Sequence, residues 1–235
     1  RGTSPAQLED LDALCHHFSR GQDPARGARY LVSAGDWARG IYANEDALRY
    51  YDRSLCILEA DAVHDVQTIG AIREHMGDLL GPIGRREQAR LQYNAVLAWA
   101  GVTANTVREA RMKRKLAGLD WEAGERERSF DCLREGLRLL EGNDAALGND
   151  IGAVIEQAHL CQEMGRLSFR TGDNQAALDW GERALQQAQR VVERGSDDPA
   201  MQRAAAAATC HALNTVGAAL ARLDRSAEAV LRIER

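Results

Sequence analysis

A small residue returns at one place in a repeating helical pattern: Gly27, Ala47, Ala89, Ser129, Ala177 and Ala229. Each lies in a stretch whose apolar residues recur at three- and four-residue steps, the period of an amphipathic helix. Short breaks such as "RGQDP", "GPIGR", "EAGE", "EGNDAALGND", "RTGDN" and "ERGSDDP" separate these stretches, and few residues favour strands. Antiparallel helices pack with axes about 8–10 Å apart. A bulky side chain at the crossing would force them apart, so a fixed small position marks a helix lying close against another. The chain is expected to be stacked helix pairs.

The offsets are those of the tetratricopeptide pattern: a small residue on a first helix, another twelve residues later on a second helix, and a bulky residue four beyond that. In "GRLSFRTGDNQAALDWGERAL", residues 165–185, and the Met164 just before it, the places are filled by Met164, Gly165, Ala177 and Ala184. Leu14-Cys15, Phe18, Gly27, Leu31 and Ala34 fit a first unit; Met76-Gly77, Leu80, Ala89 and Tyr93 another. Leu116-Ala117, Ser129 and Leu133 follow, then Val216-Gly217, Leu220, Ala229 and Ile233. A further second helix, Asn44–Ala60, carries Ala47 and Tyr51, its first helix short or merged with what precedes it around Asp36–Tyr42. Spacings of 42, 40, 48 and 52 residues between successive small positions from Ala47 exceed the usual period of about 34, which longer helices and loops absorb. Asp198-Pro199 reads as an N-cap with proline at the first helical position, and Asn174 as a cap after "RTGD". The fold class expected is all-α: a tetratricopeptide-like right-handed superhelical solenoid of about six antiparallel helix pairs, residues 1–235 forming one domain cut from a longer chain.

Charge narrows the partners. The 235 residues carry 30 basic and 35 acidic side chains, a formal net charge of −5, which speaks against nucleic acid as the partner. Arginine supplies nearly all the positive charge, with Lys113 and Lys115 the two lysines; with abundant alanine, this bias suggests a GC-rich bacterial genome. Five scattered cysteines, none in a C-x-x-C pair, suit a reducing cytoplasmic setting better than a disulfide framework. Residues 204–221 lack Asp, Glu, Lys and Arg, but they are mostly alanine and include His211 and Asn214. A buried helix fits them better than a membrane span.

The segment "ALCHHFSRGQDPARGARYLVSAGDWARGIYANEDALRYYDRSLCILE", residues 13–59, carries more than a generic repeat. His16-His17-Phe18, then Tyr30-Leu31 with Ala34-Gly35-Asp36, then Ala43, Asn44, Ala47 and Leu48, resemble the helical region after the ATPase core of bacterial STAND-type signal-transduction ATPases. The likeness is greatest to those linked to class III adenylate or guanylate cyclases, and it extends in style to MalT-like regulators. The resemblance covers about a fifth of the chain and implies a sensor or scaffold arm attached to a nucleotide-driven switch. No G-x-x-x-x-G-K-[ST] loop and no cyclase motif occurs in these residues.

Nothing in the sequence assembles a catalytic group. The histidines are scattered; His16-His17, His159 with Cys161, and Cys210-His211 lack the three- or four-residue spacing by which a helix chelates a metal. Gly77, Gly81 and Gly84 follow a helical pattern, not a strand, so a helix end explains them better than a phosphate loop. The chain is expected to be non-catalytic, with no metal or cofactor. Its function would lie in contacts with a protein or peptide. First helices line the concave side of such a solenoid, and by offset the groove residues are Arg111, Arg114 and Trp121, then His159, Gln162, Arg166 and Phe169, then His211 and Asn214. Arginine forks beside aromatic faces suit an acidic segment, from a partner or from the parent's own N-terminal domains; the alternative for "RMKRK", residues 111–115, is an ordinary solvated face. Glu74 and Asp78 stand where a chaperone-binding carboxylate clamp needs Lys and Asn. The second reading is a free-standing peptide-binding receptor or assembly scaffold.

Overall fold

The computed structural model describes residues 24–60, 65–142, 150–195 and 198–233. The described residues form helices α1 (Pro24–Gly40), α2 (Asn44–Ala60), α3 (Val66–Leu80), α4 (Arg86–Val102), α5 (Thr106–Glu122), α6 (Arg126–Glu141), α7 (Ile151–Thr171), α8 (Asn174–Arg194), α9 (Pro199–Arg222) and α10 (Ser226–Ile233). They pack as consecutive antiparallel pairs, α1 with α2 through α9 with α10. Leu14, Cys15, His16, His17 and Phe18 lie outside the described residues. The chain divides into two compact units, Arg1–Val96 and Leu97–Arg235.

In the first unit, α1 is a single 17-residue helix. The short or merged first helix expected near Asp36–Tyr42 is therefore the C-terminal half of α1. Gly27, expected on a second helix, and Gly35 share it. Gly35 is the small residue that answers Ala47, twelve positions on. Its missing side chain admits the Tyr51 ring: a Cβ there would stand 2.5 Å from Cε1. The Tyr51 hydroxyl donates to Asp36 Oδ1 at 2.6 Å. The next pair repeats the device. A Cβ on Gly77 would stand 2.3 Å from Tyr93 Cε1, and the Tyr93 hydroxyl donates to Asp78 Oδ1 at 2.8 Å. Glycine costs helix stability, and here the cost is offset by a buried aromatic ring whose polar tip is satisfied. Burial and the neighbouring Asp36 push the Tyr51 phenol above its ordinary pKa.

The turns inside the pairs repeat as strictly. Tyr42, Gly84, Gly124, Gly172 and Asp224 all take positive φ, between 58° and 88°, each seven residues after its small residue. The next amide in each turn closes back on the helix, as in Ala43 N to Ala38 O and Glu125 N to Asp120 O, both 2.9 Å. This left-handed C-cap favours glycine because other side chains pay about 1–2 kcal/mol there. Tyr42 takes that conformation with its side chain 87% exposed.

In the second unit the pairs close through smaller residues. Ser129 donates through Oγ to the Ala117 carbonyl at 2.8 Å. A Cβ on Gly165 would meet the Ala177 carbonyl oxygen at 3.3 Å, the Gly181 amide at 3.4 Å and Thr215 Cγ2 at 3.2 Å. Gly165 is thus held between its pair partner α8 and the next first helix α9, which is why the sequence keeps a glycine inside α7. Leu133, Leu137, Leu160, Cys161, Met164 and Leu167 fill the core around these contacts. Helix α9 is long and apolar enough by composition to cross a membrane. Its Ala205, Ala208, Ala212, Val216 and Ala219, at three- and four-residue steps, are buried, and the helix packs against α7 and α8.

Caps follow the sequence in one case and not in the other. Asp198 accepts from the Ala200 amide at 2.8 Å with Pro199 opening α9, as the Asp-Pro pair suggests. Before α8 the cap is Asp173, accepting from the Ala176 amide at 3.0 Å, and Asn174 is the first helical residue. Both residues suit the position; the positive φ at Gly172 places the helix start one residue earlier than Asn174 would.

The register has a direct test. Ala177 is fully buried and its carbonyl faces Gly165; Asp179 is exposed and accepts from Gln175 at 2.8 Å. Ala177→Trp is expected to cost about 1–3 kcal/mol or more by overpacking, and Asp179→Ala to stay within about 0.5 kcal/mol. Thermal melts of the two variants check this; equal midpoints would mean the small position is misplaced.

Candidate functional site: the first-helix face of the second unit

Helices α5, α7 and α9 are successive first helices and pack in that order. Equivalent positions on them carry Arg111, His159 and His211; one turn on, Arg114, Gln162 and Asn214; and beyond the small residue, Trp121 and Phe169. The structure sorts these residues into three groups.

The first group surrounds Glu156, a residue the sequence offsets did not single out. Its side chain is 2% exposed. Arg114 reaches it from α5 with Nε at 2.6 Å from Oε1 and a second contact of 3.3 Å to Oε2; Arg111 adds Nε to Oε2 at 3.2 Å. Burial alone would raise the Glu156 pKa. The Arg114 guanidinium, by charge and hydrogen bonding, and then Arg111 outweigh burial and hold the carboxyl below its ordinary range. His159, one turn along α7, is pushed toward its neutral form by burial and then by Arg114. The arginines proposed from sequence to meet an acidic ligand thus already hold an internal carboxylate. Arg166 pairs with Glu163 on its own helix, Nε to Oε2 at 3.0 Å.

The second group is polar and open. Gln162 is half-buried, while His211 and Asn214 are exposed. Among the described residues no hydrogen bond engages the Gln162 or Asn214 amide, and each offers both donors and acceptors.

The third group is a ladder of arginines on aromatic rings. Trp121 meets Phe130 edge-on, centroids 6.4 Å apart at 90°. Arg170 lies 5.2 Å and Arg126 5.8 Å from the Trp121 ring centre. Arg222 lies 5.7 Å from Phe169, so Arg170, which follows Phe169, and Arg222, which follows Ala221 at the matching place on α9, reach back to the ring of the preceding first helix. Arg126, Arg170 and Arg222 were not among the residues picked out by offset; their signal was that single-residue step beyond Phe169, and the start of α6 just after the turn.

Burial raises the Cys161 thiol to about 12 and, with Asp120 nearby, the Cys132 thiol to about 11. Thiols with such values stay protonated and unreactive at neutral pH.

No family model matches the sequence, and no curated protein matches it. Solved structures do. BtubC (BKLC) from P. vanneervenii is 18% identical with a TM-score of 0.67, over 98% of this chain and 85% of that one. The apo form of the quorum sensor NprR from B. thuringiensis is 16% identical with a TM-score of 0.69, over 97% of this chain, which spans 58% of NprR. A Rap protein complexed with Competence and Sporulation Factor is 12% identical with a TM-score of 0.58, over 98% of this chain and 70% of that one. At such identities the likeness speaks for the fold, and with the described helix pairs it makes this chain an all-α, tetratricopeptide-like helical-repeat protein.

Proposed function

We propose that this chain is a non-catalytic protein–protein interaction module whose first-helix face in the second unit receives a peptide or protein segment. The observation that carries the reading is the recurrence of polar side chains at equivalent positions of α5, α7 and α9, exposed at His211 and Asn214 and half-buried at Gln162, with the half-buried aromatics Trp121 and Phe169 on α5 and α7 beside them. Helical-repeat relatives in fold support it: NprR is a quorum sensor and Rap is seen with Competence and Sporulation Factor. The finer reading, which rests on the resemblance of residues 13–59, is a sensor arm of a bacterial, cytoplasmic signalling regulator whose ATPase or nucleotide cyclase domains supply the segment. The second reading is a free-standing peptide receptor, which the quorum-sensor likeness favours.

A random peptide library selected against the 235-residue chain tests the binding reading. Selected peptides are expected to bind the double variant Gln162→Ala, Asn214→Ala about tenfold more weakly, a difference of roughly 1.4 kcal/mol, and to bind Gln186→Ala on α8 as they bind the parent. Equal binding by all three proteins would place the interaction elsewhere. The coding sequence preceding Arg1 separates the two finer readings: a P-loop or cyclase motif in frame supports the arm, and a helix-turn-helix or neither motif supports the receptor.

A further inference from the structure

Trp121 holds two cations and no anion. Arg126 approaches the ring from the start of α6 at 5.8 Å and Arg170 from the last turn of α7 at 5.2 Å. Phe130, set edge-on against the indole, fixes the ring. Arg111, Arg114, Arg166, Arg183 and Arg225 each have a carboxylate partner. Among the described residues, Arg126 and Arg170 have none. Phe169 repeats the pattern one pair further on, with Arg222 at 5.7 Å and again no carboxylate partner among the described residues.

A guanidinium stacked on an aromatic ring keeps its N–H groups in its own plane, pointing outward from its edges. Stacking also removes side-chain freedom before any ligand arrives, so less is lost when a carboxylate docks on the fork. Two like charges brought to one indole repel, and an anion beside them relieves that repulsion. Glu122 at the end of α5 and Glu125 at the N-cap of α6 limit the local excess of positive charge. The arrangement therefore favours carboxylates presented in register over diffuse attraction to a polyanion.

We propose that Trp121, Arg126 and Arg170 form a receptor for a carboxylate-bearing peptide segment, rich in Asp or Glu, with Arg222 on Phe169 extending it along the same segment. The inference rests on the peptide-binding reading above and names the chemistry of the ligand. It moves the acidic contact from Arg111, Arg114 and Arg166, whose charges are answered within the fold, to Arg126 and Arg170, which have no carboxylate partner among the described residues.

The probe is capped hexaglutamate, titrated calorimetrically into the 235-residue chain at two salt concentrations, with inorganic phosphate as the small-anion arm. The parent is expected to bind hexaglutamate, more weakly at the higher salt. Arg126→Gln with Arg170→Gln is expected to bind at least about tenfold more weakly, and Trp121→Leu, which leaves every charge in place, is also expected to lose affinity. Arg126→Lys with Arg170→Lys keeps charge and fold while losing the planar fork, and is expected to fall between. The control Arg49→Gln with Arg85→Gln removes two carboxylate-paired arginines of the first unit and is expected to match the parent. An equal loss in the control, phosphate binding as tight as hexaglutamate, or no hexaglutamate binding by the parent would each overturn the proposal. Library peptides that lack acidic residues yet lose affinity on Gln162→Ala, Asn214→Ala would sink it while leaving the peptide-binding reading intact.

Discussion

Gly77→Ala is expected to destabilise the chain by about 1–3 kcal/mol, the range for overpacking a filled core, although alanine is the better helix former by about 1 kcal/mol. The added methyl would stand 2.3 Å from Tyr93 Cε1 and 2.7 Å from two further ring carbons. That ring is buried and tied by its hydroxyl to Asp78, so it cannot step aside without losing either packing or the hydrogen bond. The second unit shows the compensating choice: where the small residue is Ala117, the residue sixteen positions on is Leu133 rather than tyrosine. Tyr93→Leu alone is expected to destabilise by leaving a void beside Gly77. Combined with Gly77→Ala it is expected to cost less than the two separate losses together, with a coupling of about 1 kcal/mol or more. Urea melts of the four proteins close the cycle. Additive losses would show that the ring does not rest on the glycine. The same cycle is expected at Gly35 and Tyr51.

Arg114→Ala is expected to cost about 3–5 kcal/mol, the range for breaking a buried ion pair and stranding its partner. The stranded group is Glu156, 2% exposed and left with the Arg111 contact to Oε2 while Oε1 loses its Arg114 partner. Adding Glu156→Gln to Arg114→Ala is expected to restore part of the loss, because the buried charge goes with it. The pH dependence has a definite sign. The Glu156 pKa is lowered on folding, so its contribution is fully present above the ordinary glutamate range, near pH 4.5, and is lost as pH falls through the lower folded value. Glu156→Gln is expected to flatten the acid limb of the stability curve below about pH 4.5. An acid limb unchanged by Glu156→Gln would mean that the carboxylate gains nothing from its arginines.

How much of this was legible beforehand depends on the range of the interaction concerned. Asn44–Ala60 and the Asp198-Pro199 start were readable because the periodicity of a helix and the chemistry of its cap act over a few residues. The small positions Ala47, Ala89, Ser129, Ala177 and Ala229 were readable because a pair crossing recurs at constant offset. Gly35 was not recognised as the partner of Ala47, because Gly27, Leu31 and Ala34 fit the second helix of a preceding unit while α1 is one helix through Gly40; the buried tyrosine that rewards glycine there lies sixteen residues on. Asp173 rather than Asn174 caps α8 because a left-handed turn at Gly172, not residue preference, sets the start.

The sequence by itself determined the helices and most of their pairing, since each follows from spacing along one or two neighbouring segments. Only the tertiary structure decided which charges on that face are already answered. Offsets along α5 put Arg111 and Arg114 on the first-helix side, but the carboxylate they hold comes from 45 and 42 residues away, and its arrival depends on the stagger and distance of α7. Likewise Arg170 and Arg222 hold matching places on α7 and α9, yet each rests on a ring of the first helix before its own. A charge's partner across a helix interface is set by three-dimensional register at the ångström level, and no periodicity within either helix encodes it.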